Sequence, residues 1–295
     1  MNGILNILKP PGMTSFDVVS YLRKISGIRK IGHAGTLDPG AAGVLPVCIG
    51  SATKAIEYMM DKDKVYRAEL TLGIETDTQD SSGRIICEKA VKVTEEEITD
   101  CINSFIGETE QVPPMYSAVK VGGQKLYDLA RKGVNVERKP RKIKIYSINV
   151  VRISGAKVMF DVACSKGTYI RTLCADIGQK LGCGGHMSFL VRKRAGIFDI
   201  QTALTLEEIE YFAKNNLLES KLVGIDSIFD SYRAVTLDSN KLKKLRNGAF
   251  VSIGEINASK GETVRIYDIN GSFIAIADVL MRGGQLMLRQ KKVFC

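Results

Sequence analysis

Apolar residues recur along this chain at two spacings, and the spacing changes from one segment to the next. Alternation at every second residue is typical of half-buried strands, and spacing of three and four is typical of amphipathic helices. The alternating segments are residues 65–72, 143–151 and 158–164. Helical spacing follows Thr14, Thr94 and Thr205, each with an acidic residue three positions later. A threonine and an acid at this distance form a capping box, so three helices are predicted to begin there.

The same pattern predicts where these elements end and how they combine. The second helix is expected to run to Gly107 and the third to about Leu218. An apolar run at the N-terminus, Ile4 to Leu8, predicts a first strand. Strands and helices are interspersed without a regular strand–helix–strand repeat, which favours an α+β domain around a mixed sheet.

The pattern changes after about Ala234, where short apolar runs are separated by turn residues. Asn270 and Gly271 lie between two such runs, and Asn-Gly in that setting predicts a β-hairpin. We therefore predict two domains, residues 1–228 and a small β-rich domain of residues 229–295.

Composition limits the classes of protein and of site. With 295 residues and 45% hydrophobic content the chain can bury a substantial core. No apolar run approaches a membrane span, and the N-terminus does not resemble a signal peptide. Seven scattered cysteines without a Cys-x-x-Cys pair, and only two histidines, favour free thiols in a cytoplasmic protein over a zinc site or disulfides. No phosphate-binding or dinucleotide motif occurs, so we expect no metal and no cofactor.

The net charge of +10 is concentrated in two places. Residues 131–146 and residues 231–295 each carry a net charge of +6, and the rest of the chain is nearly neutral. Two basic surfaces on a neutral scaffold indicate a polyanionic partner. A general excess of solubilising charge is the alternative.

The candidate chemistry lies in a glycine-rich segment, residues 32–46, which holds Asp38 beside His33. Pro39 favours extended backbone at Asp38, and the glycines allow a ligand to come close to the main chain. A carboxylate in this setting can act as a nucleophile or as a general acid or base. Taken alone, Asp-Pro-Gly also reads as an ordinary turn.

Over a long stretch the chain resembles the tRNA pseudouridine synthases of the bacterial TruB type. The catalytic segment of that family is matched by GHAGTLDPGAAGVLPVCIGSATK at residues 32–54. The other matching blocks, in the order of the family, are residues 8–15, 64–67, 76–78, 113–120, 126–131, 164–171 and 190–192. The resemblance implies a catalytic domain around a mixed, mainly antiparallel sheet, followed by a PUA-like RNA-binding domain.

The resemblance also implies roles for individual residues. Asp38 would be the nucleophile, although whether it attacks the base or the ribose stays open. Arg171 would pair with Asp38, and Tyr66 would stack on the target base and help to move its proton. Leu190 would back this pocket, and His33 would pack into the folded RNA loop. Residues 76–80 read as a polar connection, to which we assign no role.

Further residues are predicted to contact RNA or to support the site. These are Lys9, Lys120, Arg131, Arg141, Lys142 and Tyr169, with Lys9 expected mainly to support the catalytic loop. The implied substrate is the T stem-loop of tRNA, in which uridine-55 would be isomerised. An insertion at about residues 75–160 would hold the tRNA.

Two alternative functions remain open at this point. One is a related synthase directed by a separate guide RNA; an intact tRNA-binding insertion argues against it. The other is a chaperone that folds tRNA, with modification as a secondary activity. The chaperone and the enzyme would need the same tRNA-binding surface, so the sequence does not separate them. We expect a monomer.

Overall fold

Strands and helices alternate irregularly along the chain, as the two apolar spacings predict. The strands are β1 (Gly3–Lys9), β2 (Ile31–His33), β3 (Ala42–Ile49), β4 (Lys64–Leu72), β5 (Ile74–Thr76), β6 (Ile85–Glu88), β7 (Gly107–Gln111), β8 (Lys120–Val121), β9 (Gln124–Lys125), β10 (Arg141–Ser154), β11 (Lys157–Cys164), β12 (Gly185–Ala195), β13 (Phe198–Asp199), β14 (Arg233–Thr236), β15 (Val251–Ser252), β16 (Thr263–Tyr267), β17 (Phe273–Arg282) and β18 (Gln285–Val293). The helices are α1 (Ser15–Ser26), α2 (Ile56–Met60), α3 (Glu95–Asn103), α4 (Leu126–Arg131), α5 (Ile170–Lys180), α6 (Leu206–Lys214) and α7 (Ser239–Arg246).

The computed structural model describes residues 1–117, 119–134, 136–252 and 258–295. Three side chains within these ranges, those of Lys120, Lys125 and Arg131, also lie outside the description. The RNA-binding predictions for Lys120 and Arg131 therefore concern side chains outside the described part of the chain.

A large mixed sheet forms the main body, with the strand order β1-β3-β12-β4-β11-β10-β7. Two short strands join it, β2 on β3 and β13 on β12. Within the described residues, β3 and β12 are the parallel pair and the other neighbours in this sheet are antiparallel. The predicted α+β class with a mixed, mainly antiparallel sheet is confirmed.

All three predicted capping boxes form. In each, the threonine hydroxyl accepts from the third helical N–H, and the acid there accepts from the backbone N–H of the threonine. Two predicted helix ends are wrong. The helix α3 stops at Asn103 because Gly107, with φ of +122°, already begins β7. The helix α6 stops at Lys214, and Asn216, with φ of +58°, turns the chain out of the helix.

A second sheet follows near the C-terminus, with the order β14-β16-β17-β18-β15. Its predicted hairpin is present as β16 and β17, which pair antiparallel. This sheet is joined to the main body by an aromatic cluster, in which Phe229 lies within 6.0 Å, centroid to centroid, of Tyr58, Tyr232, Phe273 and Phe294. The C-terminal β-rich domain therefore shares a buried core with the main sheet.

Candidate active site

The loop between β2 and β3 carries Asp38 and is fixed by the N-terminal part of the chain. The Ser15 hydroxyl accepts from the Leu37 N–H at 2.9 Å, and the Gly12 N–H donates to the Pro39 carbonyl at 2.8 Å. Within the loop, the Ala41 N–H donates to the Asp38 carbonyl at 3.0 Å. Asp38 thus opens a tight turn, as the Asp-Pro-Gly pattern predicts, and the turn holds its carboxylate on a rigid backbone.

Lys9 supports this loop from within the protein. Its side chain is fully buried, and its ammonium donates to the carbonyls of Pro10, Met13 and Pro39 at 2.8, 2.6 and 3.2 Å. Because three carbonyls surround it and no surface is exposed, Lys9 positions the loop and does not contact RNA from this place. Burial lowers the pKa of Lys9 to about 8, although Asp38 nearby favours the charged form.

Arg171, in the first turn of α5, meets Asp38 through two N–H groups. The Nε atom lies 3.0 Å from Oδ2, and Nη2 lies 3.3 Å from Oδ1. The arginine side chain is 5% exposed, whereas 37% of the Asp38 side chain stays accessible. The guanidinium therefore forms the floor of the site and leaves the carboxylate open towards a substrate.

Three further acceptors complete the surroundings of Arg171. Nη2 donates to the Tyr116 carbonyl at 2.7 Å, Nη1 to the Thr78 carbonyl at 3.4 Å, and Nη1 lies 3.6 Å from Asp80 Oδ2. The segment 76–80, for which the residue pattern indicated no role, thus helps to hold the arginine. The presence of Thr76-Asp77-Thr78 among the family-like blocks was the available signal.

The electrostatics of Asp38 depend on competing groups. Burial raises the pKa of Asp38, Arg171 and Lys9 act to lower it, and Asp80 acts to raise it. A carboxylate is a nucleophile only when it is ionised. Arg171 is thus the main group that opposes protonation of Asp38.

An apolar wall lies beside the carboxylate. Leu190, which is 7% exposed, belongs to the same buried cluster as Leu37 and Ala41, and Tyr66 packs against this cluster. Burial also raises the pKa of Tyr66, so its hydroxyl is held in the neutral form. The structure thus brings Asp38, Arg171, Tyr66 and Leu190 into one place.

Tyr169 begins α5, and its backbone is paired with a side chain from β7. The Gln111 amide accepts from the Tyr169 N–H at 2.7 Å and donates to the Tyr169 carbonyl at 3.0 Å. Arg141 lies opposite Gln111 in the β7–β10 pairing, and Arg141 and Lys142 are exposed. These two cations therefore lie at the start of β10, next to the edge strand β7 and near the residue that precedes α5.

His33 ends β2 and is half-buried. Its Nδ1 atom is buried without a hydrogen-bond partner among the described residues. Burial and, to a lesser degree, Arg192 lower the pKa of His33, which favours the neutral ring. Because this unpaired nitrogen is buried, it is not exposed to a ligand in this structure.

The described residues contain no group of three or more His, Cys, Asp or Glu side chains that could hold a metal ion. None of the helices in the described ranges is long and apolar enough to span a membrane.

Comparison with known protein families shows to which family the chain belongs. The family model for the N-terminal domain of TruB family pseudouridylate synthases matches residues 23–170. The chain belongs to the TruB family. Pseudouridine synthases are isomerases, and the chain is therefore an isomerase. The model for the C-terminal domain of tRNA pseudouridylate synthase B matches residues 171–237, which includes β14 of the second sheet.

Curated members of the TruB family match nearly the whole chain. The tRNA pseudouridine synthase B of Alkaliphilus oremlandii (strain OhILAs) is 51% identical over 271 residues, which cover 90% of each chain. The tRNA pseudouridine synthase B of Clostridioides difficile (strain 630) is 46% identical and covers 100% of both chains.

Two solved structures show the same fold. A Cbf5-Nop10-Gar1 complex contains a chain with 30% identity and a TM-score of 0.75. An H/ACA RNP bound to a substrate RNA containing 2'-deoxyuridine contains a chain with 27% identity and a TM-score of 0.74. Each alignment covers 99% of this chain and 85% of the other.

Among the residues that the sequence did not predict at this site is the buried Arg192. It is 1% exposed and lies behind the catalytic loop. The only signal was its position two residues after Leu190 in a family-like block.

Proposed function

We propose that the chain isomerises uridine-55 in the T loop of tRNA to pseudouridine, with Asp38 as the nucleophile. The observation that carries this proposal is the two-point contact between the buried Arg171 guanidinium and Asp38. It opposes protonation of the carboxylate while leaving it open to a substrate. The names of the curated relatives support tRNA as the substrate.

The reaction exchanges one bond for another within a single nucleotide. The bond between N1 and the ribose C1′ breaks, and a bond between C5 and C1′ forms. The proton at C5 leaves and N1 gains a proton, so the product is an isomer of the substrate. Asp38 supplies the electron pair that forms the intermediate, on either the base or the ribose, and Arg171 stabilises the carboxylate when it is released.

Tyr66 and Leu190 suit the handling of an extruded base. A base taken out of its stack loses a few kcal/mol of stacking energy, which an aromatic platform partly restores. Tyr66 would provide such a face, and its neutral hydroxyl would help to move the C5 proton. Leu190 would back this site and help to exclude water from it.

The tRNA is held outside this pocket by several surfaces. Residues 131–146 and 231–295 supply positive charge for phosphates, and the half-buried His33 would pack into the folded RNA loop. This division assigns residues 1–228 to catalysis, with the tRNA-holding insertion at about 75–160, and residues 229–295 to RNA binding.

Similarity favours a stand-alone enzyme over one that works within a larger assembly. The curated tRNA pseudouridine synthases B are 44–51% identical to the chain, whereas the chains of the Cbf5-Nop10-Gar1 complex and the H/ACA RNP are 30% and 27% identical. We therefore expect turnover of a tRNA transcript without any other component.

The substitution Asp38→Asn tests the proposal. The amide preserves the shape of the carboxylate but is not a nucleophile, so pseudouridine formation on an unmodified tRNA transcript should stop while tRNA affinity is preserved. Asp100→Asn, at an exposed position on α3, is the matched control and should turn over normally.

Turnover by purified Asp38→Asn would contradict the assignment of the nucleophile. Rescue of cells that lack the enzyme by Asp38→Asn would instead show that tRNA binding or folding is the activity the cell needs.

A further inference from the structure

Arg192 is buried behind the catalytic loop and binds both of its sides. Its Nε donates to the Val44 carbonyl at 2.7 Å, and Nη2 and Nη1 donate to the Gly35 and Thr36 carbonyls at 3.0 and 3.4 Å. Gly35 and Thr36 precede Asp38 in the chain, and Val44 follows it. One planar guanidinium thus closes the loop that presents the carboxylate.

The charge of Arg192 lacks a carboxylate partner. Among the ion pairs of the described residues, none includes Arg192, although the side chain is 1% exposed. Burying a cation without a carboxylate partner is costly, and an apolar residue in its place would give a more stable core. Locally unfavourable residues of this kind concentrate at functional sites.

The strand β12 also places Arg192 beside Tyr66. The two residues are direct partners in the β12–β4 pairing, and such partners have Cβ atoms about 4.5–5.5 Å apart on one face of the sheet. The positive charge of Arg192 acts to lower the pKa of Tyr66, against the effect of burial. Arg192 therefore adjoins the loop of the nucleophile and the phenol at the same time.

The backbone at Arg192 lies close against the end of the loop at Gly43. It pairs with Gly43 in the parallel β3–β12 contact, where Gly43 has φ of +114°. A Cβ atom at position 43 would lie 2.3 Å from the Arg192 carbonyl oxygen. The end of the catalytic loop is thus fixed to β12 by both the main chain and the side chain.

We propose that Arg192 is a positioning residue for the isomerisation, which fixes the Asp38 loop and the Tyr66 hydroxyl relative to each other. It acts through these two groups and does not contact the substrate. This inference rests on the proposed function, because its effect is measured on the chemical step.

The test compares Arg192→Lys and Arg192→Gln with Arg194→Lys as the control. Arg194 lies on the same strand, with an exposed side chain. The measurements are tRNA affinity, the thermal midpoint, and the single-turnover rate of pseudouridine formation per folded molecule on an unmodified tRNA transcript.

Arg192→Lys preserves the charge but cannot reach both sides of the loop with a planar fork. We expect its single-turnover rate to fall about 100-fold, because a displacement of about 1 Å at a reacting group has effects of this size. The single-turnover rate of Arg192→Gln should be lower still, because this variant also loses the positive charge. The affinity for tRNA should stay within about twofold, since the residue is buried away from the RNA, and Arg194→Lys should match the wild type.

A second measurement separates positioning from general stability. If Arg192 acts partly through Tyr66, the rate lost through Arg192→Lys should be smaller in a Tyr66→Phe background than in the wild type. Equal losses in the two backgrounds would overturn the link to Tyr66.

Rates per folded molecule within twofold of the wild type for both Arg192 variants would overturn the proposal, as would losses that only follow the fraction of unfolded protein. Failure of the proposed function would give a different result. The wild type itself would then form no pseudouridine, and every variant would be equally inactive.

Discussion

At the scale of single residues, the site depends on a guanidinium with several acceptors. Arg171 donates to Asp38, to two backbone carbonyls and towards Asp80. This number of partners is possible because the arginine fork is planar and carries five N–H donors. A lysine at the same place offers one ammonium on a flexible chain.

Arg171→Lys should therefore slow the chemical step about 100-fold or more, although the charge is preserved. The affinity for tRNA should change little, because Arg171 lies beneath the carboxylate and is 5% exposed. Single-turnover rates with excess enzyme give the measurement. A rate near that of the wild type would mean that the two-point contact with Asp38 is not needed.

Asp176, on α5, provides a prediction about pH. Burial raises the pKa of Asp176 to about 6 from an ordinary 3.8, so the folded state favours the protonated form. Its ionisation therefore destabilises the fold above pH 6. Asp176→Asn should raise the free energy of unfolding at pH 8 by about 1–2 kcal/mol, after allowance for the partial exposure of the side chain.

This gain should fade as the pH falls from 6 towards 4, because the wild-type carboxyl is then protonated in the folded state and finally in the unfolded state as well. Denaturant unfolding at several pH values measures it, with the exposed Asp100→Asn as a control that should show no such trend. A gain that does not vary with pH would rule out ionisation as the cause.

Sequence alone was sufficient to predict Asp38, Arg171, Tyr66 and Leu190 as neighbours, because all four lie in segments that resemble a known family. It did not predict the roles of Asp80, Arg192 or Gln111. Arg192 and Gln111 contact backbone carbonyl and N–H groups of distant segments, which the residue pattern does not reveal, and Asp80 contacts the side chain of the distant Arg171. Only the folded structure shows which carbonyls a buried cation can reach.

At the scale of elements, the start of α5 is attached to the end of β7 by one side chain. Gln111 is 4% exposed, and its amide satisfies both the N–H and the carbonyl of Tyr169. The chain continues from Gln111 to Tyr116, whose carbonyl accepts from Arg171. The position of the predicted tRNA-holding insertion is thus coupled to the catalytic arginine.

Gln111→Glu keeps the size of the side chain and the acceptor but removes the donor, and it leaves the Tyr169 carbonyl unpaired. We expect a loss of about 1–3 kcal/mol in unfolding free energy, together with a lower single-turnover rate. The control is Gln179→Glu, at an exposed position on α5. Its unfolding free energy should stay within about 0.5 kcal/mol of the wild type. A full rate in folded Gln111→Glu would show that β7 and Arg171 are not coupled.

Element types were predictable where local chemistry sets them. Capping boxes and an Asn-Gly turn act within four residues, so the sequence contains the complete signal. The ends of helices were not predictable in this way. Asn216 turns the chain away after α6 by adopting φ of +58°, a conformation that asparagine tolerates but does not require.

At the scale of the whole molecule, the two basic regions predict a strong dependence of tRNA binding on salt. If about four to six phosphates are contacted, the logarithm of the affinity should fall against the logarithm of salt concentration with a slope of about −3 to −5. Arg141→Gln and Lys142→Gln should each reduce the magnitude of this slope by about one.

Lys214→Gln is the matched control for these measurements, because Lys214 lies outside both basic regions and pairs with Glu210 at 2.8 Å. A slope near zero for the wild type, or equal effects of the three substitutions, would argue against phosphate contacts by the predicted surfaces.

The contacts of the catalytic loop also determine when, during folding, the site can exist. Its anchors come from the nearby segment of residues 9–15 and from β12, where Arg192 binds Val44 across 148 positions of sequence. Pairings between segments so far apart form late and slow the folding of a chain. A folding intermediate that lacks β12 would contain Asp38 without the anchor that closes its loop. The appearance of activity during refolding should therefore lag behind the appearance of secondary structure.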